Sequence, residues 1–518
     1  MTAISRQGSN RPTRALIGAS ALAATALFST YLGGLRLAAS YARASESADE
    51  VRVGPAAVPA GCAAGSTIVD GTVSLKAALA VGDDTVLCVV DSFTLDDTIV
   101  LDDTSLTLMG PDDTAVVLTS RADARHIVAT SSAGSDDTLA IYNITLAGQG
   151  PIGSGGVEFV GDYSYPNVDR VIVDDSAAIV DGYATHGGAL DARARIYIGD
   201  AYFSGNKGVL GGAMRLKGRT AVDGARFVKN VGGTGAAILQ VYDTMSITGS
   251  SFLENIATNG GAILHDDRLE IEDSRFIGNS ALENGGAIYS GVDQSQVVIS
   301  GSTFSSNTAD DSGGALYFRT DTGTELLSVA GTWFDDNYAA QSGAIHAVDG
   351  SVILQNVSFT GNDAVSTGAA VSSDSAGLLL ETVSFIGNGD DTSASFGGAL
   401  YGPANASTYM VNVTAVGNEA RTAGGFAYLR GGTVANPDEV IFSTVTNNIA
   451  GNGGGIKAGG ATYISNSVVY GNSSGASYQD VDLTADSTLS HSFFSEITSV
   501  LPVAIRSGTG VLFGTDAG

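Results

Sequence analysis

The chain has 518 residues, of which 69 are glycine, about 13% against roughly 7% in an average protein. Only 9 prolines accompany these glycines, which excludes collagen, and a hydrophobic content of 44% excludes a largely disordered chain. The 54 acidic and 25 basic residues give a formal net charge of −29, which argues against nucleic acid and anionic membrane surfaces as direct partners.

Residues 1–44 have the organisation of a secretory signal peptide. Three arginines precede an apolar run that ends at Leu35, and small residues end the segment at Ala44. An uncleaved membrane anchor is the alternative. We expect cleavage near Ala44, a flexible leader over residues 45–60, and a secreted or cell-surface protein without a transmembrane segment in the mature chain.

The next segment, residues 61–110, is expected to form an N-terminal cap and the first coils of the fold. Cys62 and Cys88 are its two cysteines, and outside the cytoplasm such a pair can close a disulfide. A lipid-attached Cys62 is the alternative. Between the cysteines, the run from Ser74 to Gly82 predicts a short helix with Ser74 as its N-cap.

An internal repeat dominates the rest of the chain. A tetrad of the form Gly-Gly-Ala-aliphatic, with variants, begins at residues 187, 211, 235, 260, 285, 313, 342, 368, 397, 424 and 453. A period of 24–29 residues is typical of solenoids, in which each repeat forms one coil.

A second motif, Phe-x-x-Asn, recurs with the same period between the tetrads. Its pairs are Phe203/Asn206, Phe227/Asn230, Phe252/Asn255, Phe276/Asn279, Phe304/Asn307, Phe334/Asn337, Phe359/Asn362 and Phe385/Asn388. Three further coils keep an asparagine without the phenylalanine, at Asn418, Asn448 and Asn472. Two interleaved motifs of one period indicate one repeating unit.

Each unit contains apolar runs of a few residues between Gly, Asp, Asn and Ser, and no stretch with helical periodicity. We therefore predict a parallel β-solenoid over residues 111–500, clearest at 180–475, with a tail at 501–518. The phenylalanines are expected to stack inside. The asparagines are expected to occupy sharp turns, because their side chains tolerate left-handed backbone and can bond to the backbone or to the next asparagine. The paired glycines are expected at tight corners.

The tetrad and Phe-x-x-Asn motifs resemble the GGAI and FxxN repeats of the chlamydial polymorphic outer membrane proteins and related bacterial proteins. The resemblance covers about residues 180–475. It implies an all-β fold, a right-handed, single-stranded parallel β-helix, here with a short N-terminal capping segment. It also implies a surface-exposed or secreted passenger, associated in some members with the outer membrane and commonly adhesive.

An acidic β-helix also admits a polysaccharide-degrading enzyme of the pectate-lyase or polygalacturonase type, a lyase or a glycoside hydrolase. The densest polar cluster of the repeat is its weak candidate site: His265, Asp266, Asp267 and Arg268. Glycosidic chemistry needs two carboxylates facing each other across a groove, whereas adjacent residues on a strand point to opposite faces. We therefore assign no catalytic residue, and a solvated turn is the favoured interpretation of residues 265–268.

Six Asp-Asp-Thr triplets supply oxygen ligands of the kind that calcium prefers, starting at residues 83, 96, 102, 112, 136 and 390. Most of them precede residue 140 and do not follow a column of the repeat. We expect no cofactor and no built metal site, and at most weakly bound calcium.

The residue directly after each tetrad is expected to point outward. In seven successive coils this position carries four tyrosines and a histidine, which we predict as a ligand-binding strip: Tyr289, Tyr317, His346, Tyr401 and Tyr428. Such residues suit recognition of an extracellular glycan or a cell-surface receptor, although tyrosine is also simply favoured in strands. The predicted function is therefore an adhesin-like recognition protein, with a non-binding envelope scaffold as a further alternative.

Overall fold

The computed structural model describes most of the chain beyond residue 61. The described residues are 62, 66–80, 85–112, 115–132, 135–149, 155–161, 169–291, 296–320, 323, 325–390, 396–475, 477–483, 486–495, 497–499, 506–507 and 510–513. The predicted signal peptide and leader lie outside them.

The described residues form a parallel β-solenoid, as the repeat predicts. One coil illustrates the course of the chain: a strand at Tyr202–Ser204 in sheet B, then Lys207–Leu210 in sheet D, Met214–Lys217 in sheet C and Thr220–Asp223 in sheet A. The next coil begins at Arg226–Val228, which pairs in parallel with Tyr202–Ser204. Each coil thus lies one strand spacing, about 4.8 Å, from its neighbour.

Within the described residues, sheet A has 18 strands and sheet B has 17. The strands of sheet A are Thr67–Val69, Thr85–Val89, Leu106–Met109, Thr138–Tyr142, Arg170–Asp174, Arg195–Gly199, Thr220–Asp223, Met245–Thr248, Arg268–Glu272, Gln296–Ser300, Leu326–Ala330, Ser351–Gln355, Gly377–Glu381, Thr408–Val411, Asp438–Ile441, Thr462–Ser465, Thr488–Ser490 and Arg506–Ser507. The strands of sheet B are Phe93–Thr94, Val117–Thr119, Thr145–Ala147, Ala178–Val180, Tyr202–Ser204, Arg226–Val228, Ser251–Leu253, Arg275–Ile277, Thr303–Ser305, Trp333–Asp335, Ser358–Thr360, Ser384–Ile386, Thr414–Val416, Thr444–Thr446, Val468–Tyr470, Phe493–Phe494 and Leu512–Phe513.

Sheet C has 16 strands in the same part of the chain, and two short sheets, D and E, continue one another beside it. The strands of sheet C are Ile99–Asp102, Ile127–Thr130, Val157–Val160, Leu190–Arg193, Met214–Lys217, Ile238–Gln240, Ile263–His265, Ile288–Ser290, Leu316–Phe318, Ile345–Ala347, Val371–Ser373, Leu400–Tyr401, Ala427–Leu429, Ile456–Ala458, Val481–Leu483 and Ile497–Ser499. Those of sheet D are Tyr183–His186, Lys207–Leu210, Val231–Thr234, Ile256–Ala257, Ser280–Ala281, Thr308–Ser312, Tyr338–Gln341 and Asp363–Ala364, and those of sheet E are Glu419–Ala423, Ile449–Asn452, Ser473–Ser474 and Ser477–Tyr478.

One helix, Thr72–Leu79, packs at the N-terminal end and buries Leu75 and Ala78. It begins two residues before the predicted N-cap, so Ser74 lies inside its first turn. The Ser74 hydroxyl still caps the helix, because it accepts hydrogen bonds from the backbone N–H groups of Asp70 and Gly71 at 3.0 and 3.1 Å. A disulfide joins Cys62 to Cys88. No helix among the described residues is long and apolar enough to cross a membrane.

The phenylalanines of the repeat form one continuous stack inside the solenoid. Neighbouring ring centroids from Phe203 to Phe385 are 4.7 to 5.0 Å apart, and the rings are within 13° of parallel. The next coil has Ala415 in this column. The ring of Phe426, directly before the sheet C strand Ala427–Leu429, instead lies tilted with its centroid 5.3 Å from that of Phe385. The core therefore stays filled in the coil where the Phe-x-x-Asn motif has no phenylalanine.

The asparagines form a ladder of side-chain amides, and all eleven are fully buried: Asn206, Asn230, Asn255, Asn279, Asn307, Asn337, Asn362, Asn388, Asn418, Asn448 and Asn472. From Asn230 onwards, each Oδ1 accepts two hydrogen bonds from the preceding asparagine, as Asn279 does from the N–H and the Nδ2 of Asn255 at 3.1 and 2.9 Å. Each Nδ2 also donates to a carbonyl of an earlier coil, here that of Phe252 at 3.0 Å. The amides are thus satisfied without water.

Of the two reasons predicted for asparagine at the turn, its bonding to backbone and to the next asparagine is confirmed, whereas its own left-handed backbone is wrong. The left-handed backbone lies at the residue before it, for example Lys229 with φ of 54° and Glu254 with φ of 53°. Asparagine is needed here because its amide donates and accepts in the axial direction, a role that no other uncharged side chain except glutamine fills.

The two glycines of the tetrad serve different purposes. Gly211 has φ of 70°, a left-handed conformation that strains residues with a Cβ. Its neighbour Gly212 is in an ordinary region, but a Cβ there would lie 2.2 Å from the carbonyl oxygen of Ala236 in the next coil. The first glycine therefore makes the corner, and the second allows the coils to approach.

A second polar ladder was not recognised in the sequence. Ser250, Ser274 and Ser302 each lie two residues before a phenylalanine of the stack, and each hydroxyl accepts a hydrogen bond from an N–H one coil earlier, as Ser274 does from Ser250 and Ser302 does from Ser274, both at 3.1 Å. Each hydroxyl in turn donates to the carbonyl two residues before it. The constant offset from phenylalanine is the signal that could have revealed it.

We expect Phe276→Ala to reduce the free energy of unfolding by about 3–5 kcal/mol, because it opens a cavity between two stacked rings. Urea unfolding followed by circular dichroism measures this loss. Phe276→Leu, which keeps most of the volume, should cost less than half as much, and equal losses for the two variants would contradict a packing role for the ring.

The amide ladder ends on a carboxylate, which gives a second prediction. Asp480 is fully buried, and its Oδ1 accepts hydrogen bonds from the N–H and the Nδ2 of Asn472, both at 3.0 Å. Its Oδ2 accepts two further hydrogen bonds from Ser495. All four partners are donors, so the end of the ladder requires two acceptor oxygens.

Asp480→Asn replaces one of these oxygens with a donor, so two hydrogen bonds are lost and two donors face each other. We expect a loss of about 1–3 kcal/mol in the free energy of unfolding, measured by urea denaturation. Asp486→Asn makes the same chemical change on an exposed side chain and should leave stability within about 0.5 kcal/mol of the parent. A similar effect of both substitutions would contradict the capping role.

Candidate functional site

The five residues of the predicted strip lie in one column of sheet C, which we call the aromatic column. Tyr289 pairs with Tyr317, and Tyr317 with His346. One coil then carries Ser372 at this position, before Tyr401 and Tyr428 continue the column. All four tyrosines are half-buried. Each column residue lies in sheet C, four residues after the left-handed first residue of its tetrad, for example Tyr289 after Gly285.

The rings of the column stack on one another along the solenoid axis. The centroids of Tyr289 and Tyr317 are 5.1 Å apart and those of Tyr317 and His346 are 5.5 Å apart, with the planes within 9° of parallel. Each ring therefore covers a face of its neighbour, and the half-buried tyrosines present their edges outward. Burial raises the pKa of Tyr317 to about 12, so this hydroxyl is a neutral donor and acceptor at physiological pH.

His346 does not point into solvent as expected. Its side chain is 3% exposed, because Tyr317 covers one face and two polar groups hold the ring edge. Ser342 Oγ lies 3.1 Å from His346 Nδ1, and Asp374 Oδ2 lies 3.6 Å from His346 Nε2. The histidine holds the pKa of Asp374 below its usual value.

Ser342, His346 and Asp374 are arranged in the order of a hydrolytic triad, hydroxyl to imidazole to carboxylate. In a working triad the hydroxyl is accessible to substrate, whereas here the carboxylate is the exposed group. Ser342 is fully buried, whereas the Asp374 side chain is 52% exposed. Because the Ser342 hydroxyl has no exposed surface, it cannot attack a polymer. Ser342 and Asp374 instead hold the imidazole of His346 in place beside Tyr317. Ser342 also occupies the corner position where the other tetrads have glycine, with φ of 57°.

A cation completes the column on its C-terminal side. The guanidinium carbon of Arg430 lies 3.8 Å from the centroid of the Tyr401 ring, a cation–π contact. Hydrogen bonds to the carbonyls of Gly402 and Ser373, at 2.8 and 3.2 Å, fix the guanidinium in this place. Tyr401 and Tyr428 meet edge to face with Phe396 beside them, so the ring faces here are covered as well.

Ion pairs occupy the same column beyond the aromatic residues. Asp191 accepts two hydrogen bonds from Arg215, at 2.7 and 2.9 Å, four coils before Tyr289. At the other end Lys457 pairs with Asp482, whose side chain is 5% exposed. The aromatic column is thus bounded by neutralised charges, and its own charged neighbours are Asp374 and Arg430.

The weak catalytic candidates do not form a catalytic pair. His265 is fully buried inside the solenoid, and its Nδ1 accepts a hydrogen bond from the N–H of Asp267 at 3.0 Å. Burial lowers the pKa of His265 to about 4 and raises that of Asp266. Asp267 accepts a hydrogen bond from the N–H of Asp243 at 3.1 Å, and Arg268 bonds to Glu270. Only Asp266, Asp267 and Arg268 are open to solvent, and no groove separates two carboxylates there.

His265 belongs to a polar segment of an inward-facing column, between Gln240 and Ser290. The Oε1 of Gln240, the Nε2 of His265 and the Oγ of Ser290 are buried and have no protein partner. Sequence alone placed the histidine at a turn because the Asp-Asp pair follows it; its position two residues after the tetrad's aliphatic residue is the signal for the interior. Within the described part of the chain, no three His, Cys, Asp or Glu side chains are grouped so that they could hold a metal ion.

Comparisons with known proteins agree with the repeat. Residues 273–291 and 301–319 match the model of the Chlamydia polymorphic membrane protein repeat. Each segment spans a Phe-x-x-Asn motif, a tetrad and a tyrosine of the aromatic column. The search of curated proteins found no match. Among solved structures, a mutant of the PL6-family alginate lyase AlyGC aligns with 86% of this chain and 100% of its own at 11% identity, with a TM-score of 0.18. A score this low supports no inference about activity.

The buried histidine predicts a pH effect on stability. The pKa of His265 is about 4 in the fold and near 6.5 in an unfolded chain, so the unfolded state takes up the proton first as the pH falls. Stability from this group is complete above about pH 6.5 and is lost as the pH falls towards 4.

His265→Gln removes this proton uptake, and Gln240 shows that the neighbouring coil accepts glutamine in the same column. We expect the melting temperature of the variant, relative to the parent, to rise steadily from pH 7.5 to pH 4.5. His491→Gln, at an exposed ring, should keep a constant difference over the same range. A pH-independent difference for His265→Gln would show that the ring is solvated.

Proposed function

We propose that this chain is an exported or cell-surface recognition protein that binds an extracellular glycan through the aromatic column. The proposal rests on one observation: stacked, half-buried rings present a row of polar edges over successive coils, with Asp374 and Arg430 beside them. Rigid aromatic side chains with a polar tip lose little entropy on binding, which suits a recognition surface.

The stacking determines how a glycan binds. Since the ring faces are covered by one another, a sugar cannot lie flat on Tyr289 or Tyr317. The partner must instead exchange hydrogen bonds with the hydroxyls of two tyrosine pairs, Tyr289 with Tyr317 and Tyr401 with Tyr428, whose members lie in neighbouring coils about 4.8 Å apart. A chain of sugars with hydroxyls at regular intervals provides such partners.

Two observations support a location outside the cytoplasm. The match to the polymorphic membrane protein repeat covers Tyr289 and Tyr317 themselves, and proteins of that name belong to a membrane surface. The disulfide between Cys62 and Cys88 is of the kind that persists in oxidising compartments. A signal peptide over residues 1–44 fits the same proposal.

The decisive variant is Tyr289→Phe/Tyr317→Phe/Tyr428→Phe, which removes hydroxyls and keeps the stacked rings. We expect the labelled parent chain to bind members of a glycan array, and the variant to lose at least about tenfold in affinity at an unchanged melting temperature. Each hydroxyl removed leaves a partner group without its hydrogen bond.

The matched control is Tyr202→Phe/Tyr338→Phe/Tyr470→Phe, which removes three hydroxyls from exposed tyrosines of sheets B and D. It should bind like the parent. Equal losses in both variants, or no binding of the parent to any glycan, would overturn the proposal. Release of new reducing ends from a bound polysaccharide would instead support the degrading enzyme as the function.

A further inference from the structure

A dense group of basic residues lies at the corner between sheets C and A, in three coils near residue 200. We call it the basic corner, and it consists of Arg170, Arg193, Arg195, Lys217 and Arg219. The chain has 54 acidic and 25 basic residues, so such a group stands against a strongly negative background. It is far along the chain from the aromatic column and is not explained by the function proposed above.

The register places these residues in two short columns. Arg170 lies opposite Arg195, and the carbonyl of Arg219 accepts a hydrogen bond from the N–H of Ile196, which puts Arg219 next in the same column. Arg193 lies opposite Lys217. The two columns flank the turn that joins the sheets, and three coils span about 10 Å.

The charges of the basic corner face outward. Arg193 and Arg219 are exposed, and Arg170, Arg195 and Lys217 are half-buried. The residues between them, such as Ala194 and Leu216, are fully buried. Within the described residues, Arg170, Arg195, Lys217 and Arg219 form no ion pair, in contrast to Arg215, which lies on the same face of the strand two residues before Lys217 and pairs with Asp191.

An exposed aromatic ring adjoins the basic corner. The following coil has one additional residue at this turn, and the ring of Tyr242 there is 66% exposed. Its backbone is left-handed, with φ of 72°, a strained conformation for tyrosine. The Nε2 of Gln240 is 3.3 Å from the carbonyl of Tyr242, which helps to hold the turn.

Acidic residues follow the basic corner and Tyr242 on the C-terminal side, so the positively charged surface ends there. Asp243 follows Tyr242, and its N–H donates to Asp267 at 3.1 Å in the next coil. The positive surface is therefore short along the axis and ends at the tyrosine. A ligand that fits it carries a few negative charges close together and an adjoining ring or apolar face.

We propose that the basic corner and Tyr242 bind a short stretch of an acidic polysaccharide. The guanidinium groups pair with its carboxylates or sulfates through two parallel hydrogen bonds each, and the exposed face of Tyr242 packs against a sugar ring. Unlike the aromatic column, this site has a net positive charge and an exposed tyrosine, so it binds a different class of ligand, an anionic one.

A nucleic acid fits less well. Its phosphates continue in both directions beyond three coils, where the acidic surface of the chain repels them. An acidic polysaccharide with flexible linkages can place a few charged sugars at the corner and leave the surface beyond it. Single-stranded DNA therefore serves as a competing ligand in the test.

The test uses the full chain and three immobilised probes: heparin for sulfates, polygalacturonate for carboxylates, and single-stranded DNA. Arg195→Gln/Lys217→Gln/Arg219→Gln should lose at least about tenfold in affinity for the polysaccharide that the parent binds, and the slope of log affinity against log salt should become shallower. Tyr242→Asn removes the ring and keeps a residue that tolerates left-handed backbone, so affinity should fall while the salt slope is unchanged.

The matched control is Lys207→Gln/Arg226→Gln/Arg275→Gln, which removes the same charge from exposed residues of sheets B and D. It should retain at least half of the parent's affinity. Equal losses in the two triple variants would show that net charge alone attracts the polymer and would overturn the site. Equal or tighter binding of the parent to DNA, or no binding to either polysaccharide, would overturn the ligand class.

Discussion

The structure depends on the requirement that every coil align with the next in one axial register. The asparagine ladder imposes it, because each amide accepts two hydrogen bonds from one neighbour and donates to the other. A shift of one residue would leave several buried amide groups without partners, at a cost of about 1–3 kcal/mol for each group. The phenylalanine stack supplies apolar burial in the same register but would tolerate small displacements.

The same alignment shapes the surface. Any residue type that recurs at an outward position becomes a column with a spacing near 4.8 Å, so aromatic rings in neighbouring coils contact one another whether or not they bind a ligand. In the aromatic column this stacking converts flat rings into a row of polar edges. The basic corner ends where the register is interrupted, since Tyr242 occupies a turn with one residue more than the turn before it.

The sequence predicted the coil, the sheets and the two interior columns, because a fixed period translates directly into a fixed position on the solenoid. It failed for two histidines that were expected near solvent. His265 is buried because it alternates with Leu264 in the strand and so faces inward. His346 is buried against Tyr317, Ser342 and Asp374. Some contacts between coils, such as that of Arg430 with Tyr401, join residues that belong to no common motif, so the repeat period does not predict them.

The ladder has a direction, because each asparagine Nδ2 donates to the Oδ1 of the next asparagine on the C-terminal side, and the sequence of amides stops at the carboxylate of Asp480. A coil duplicated anywhere within the ladder would meet the same donors on one side and the same acceptors on the other. Growth or shortening by whole coils therefore leaves the interior chemistry intact, whereas a new terminus requires a new acceptor. The solenoid can change length during evolution by internal duplication far more easily than by extension at its end.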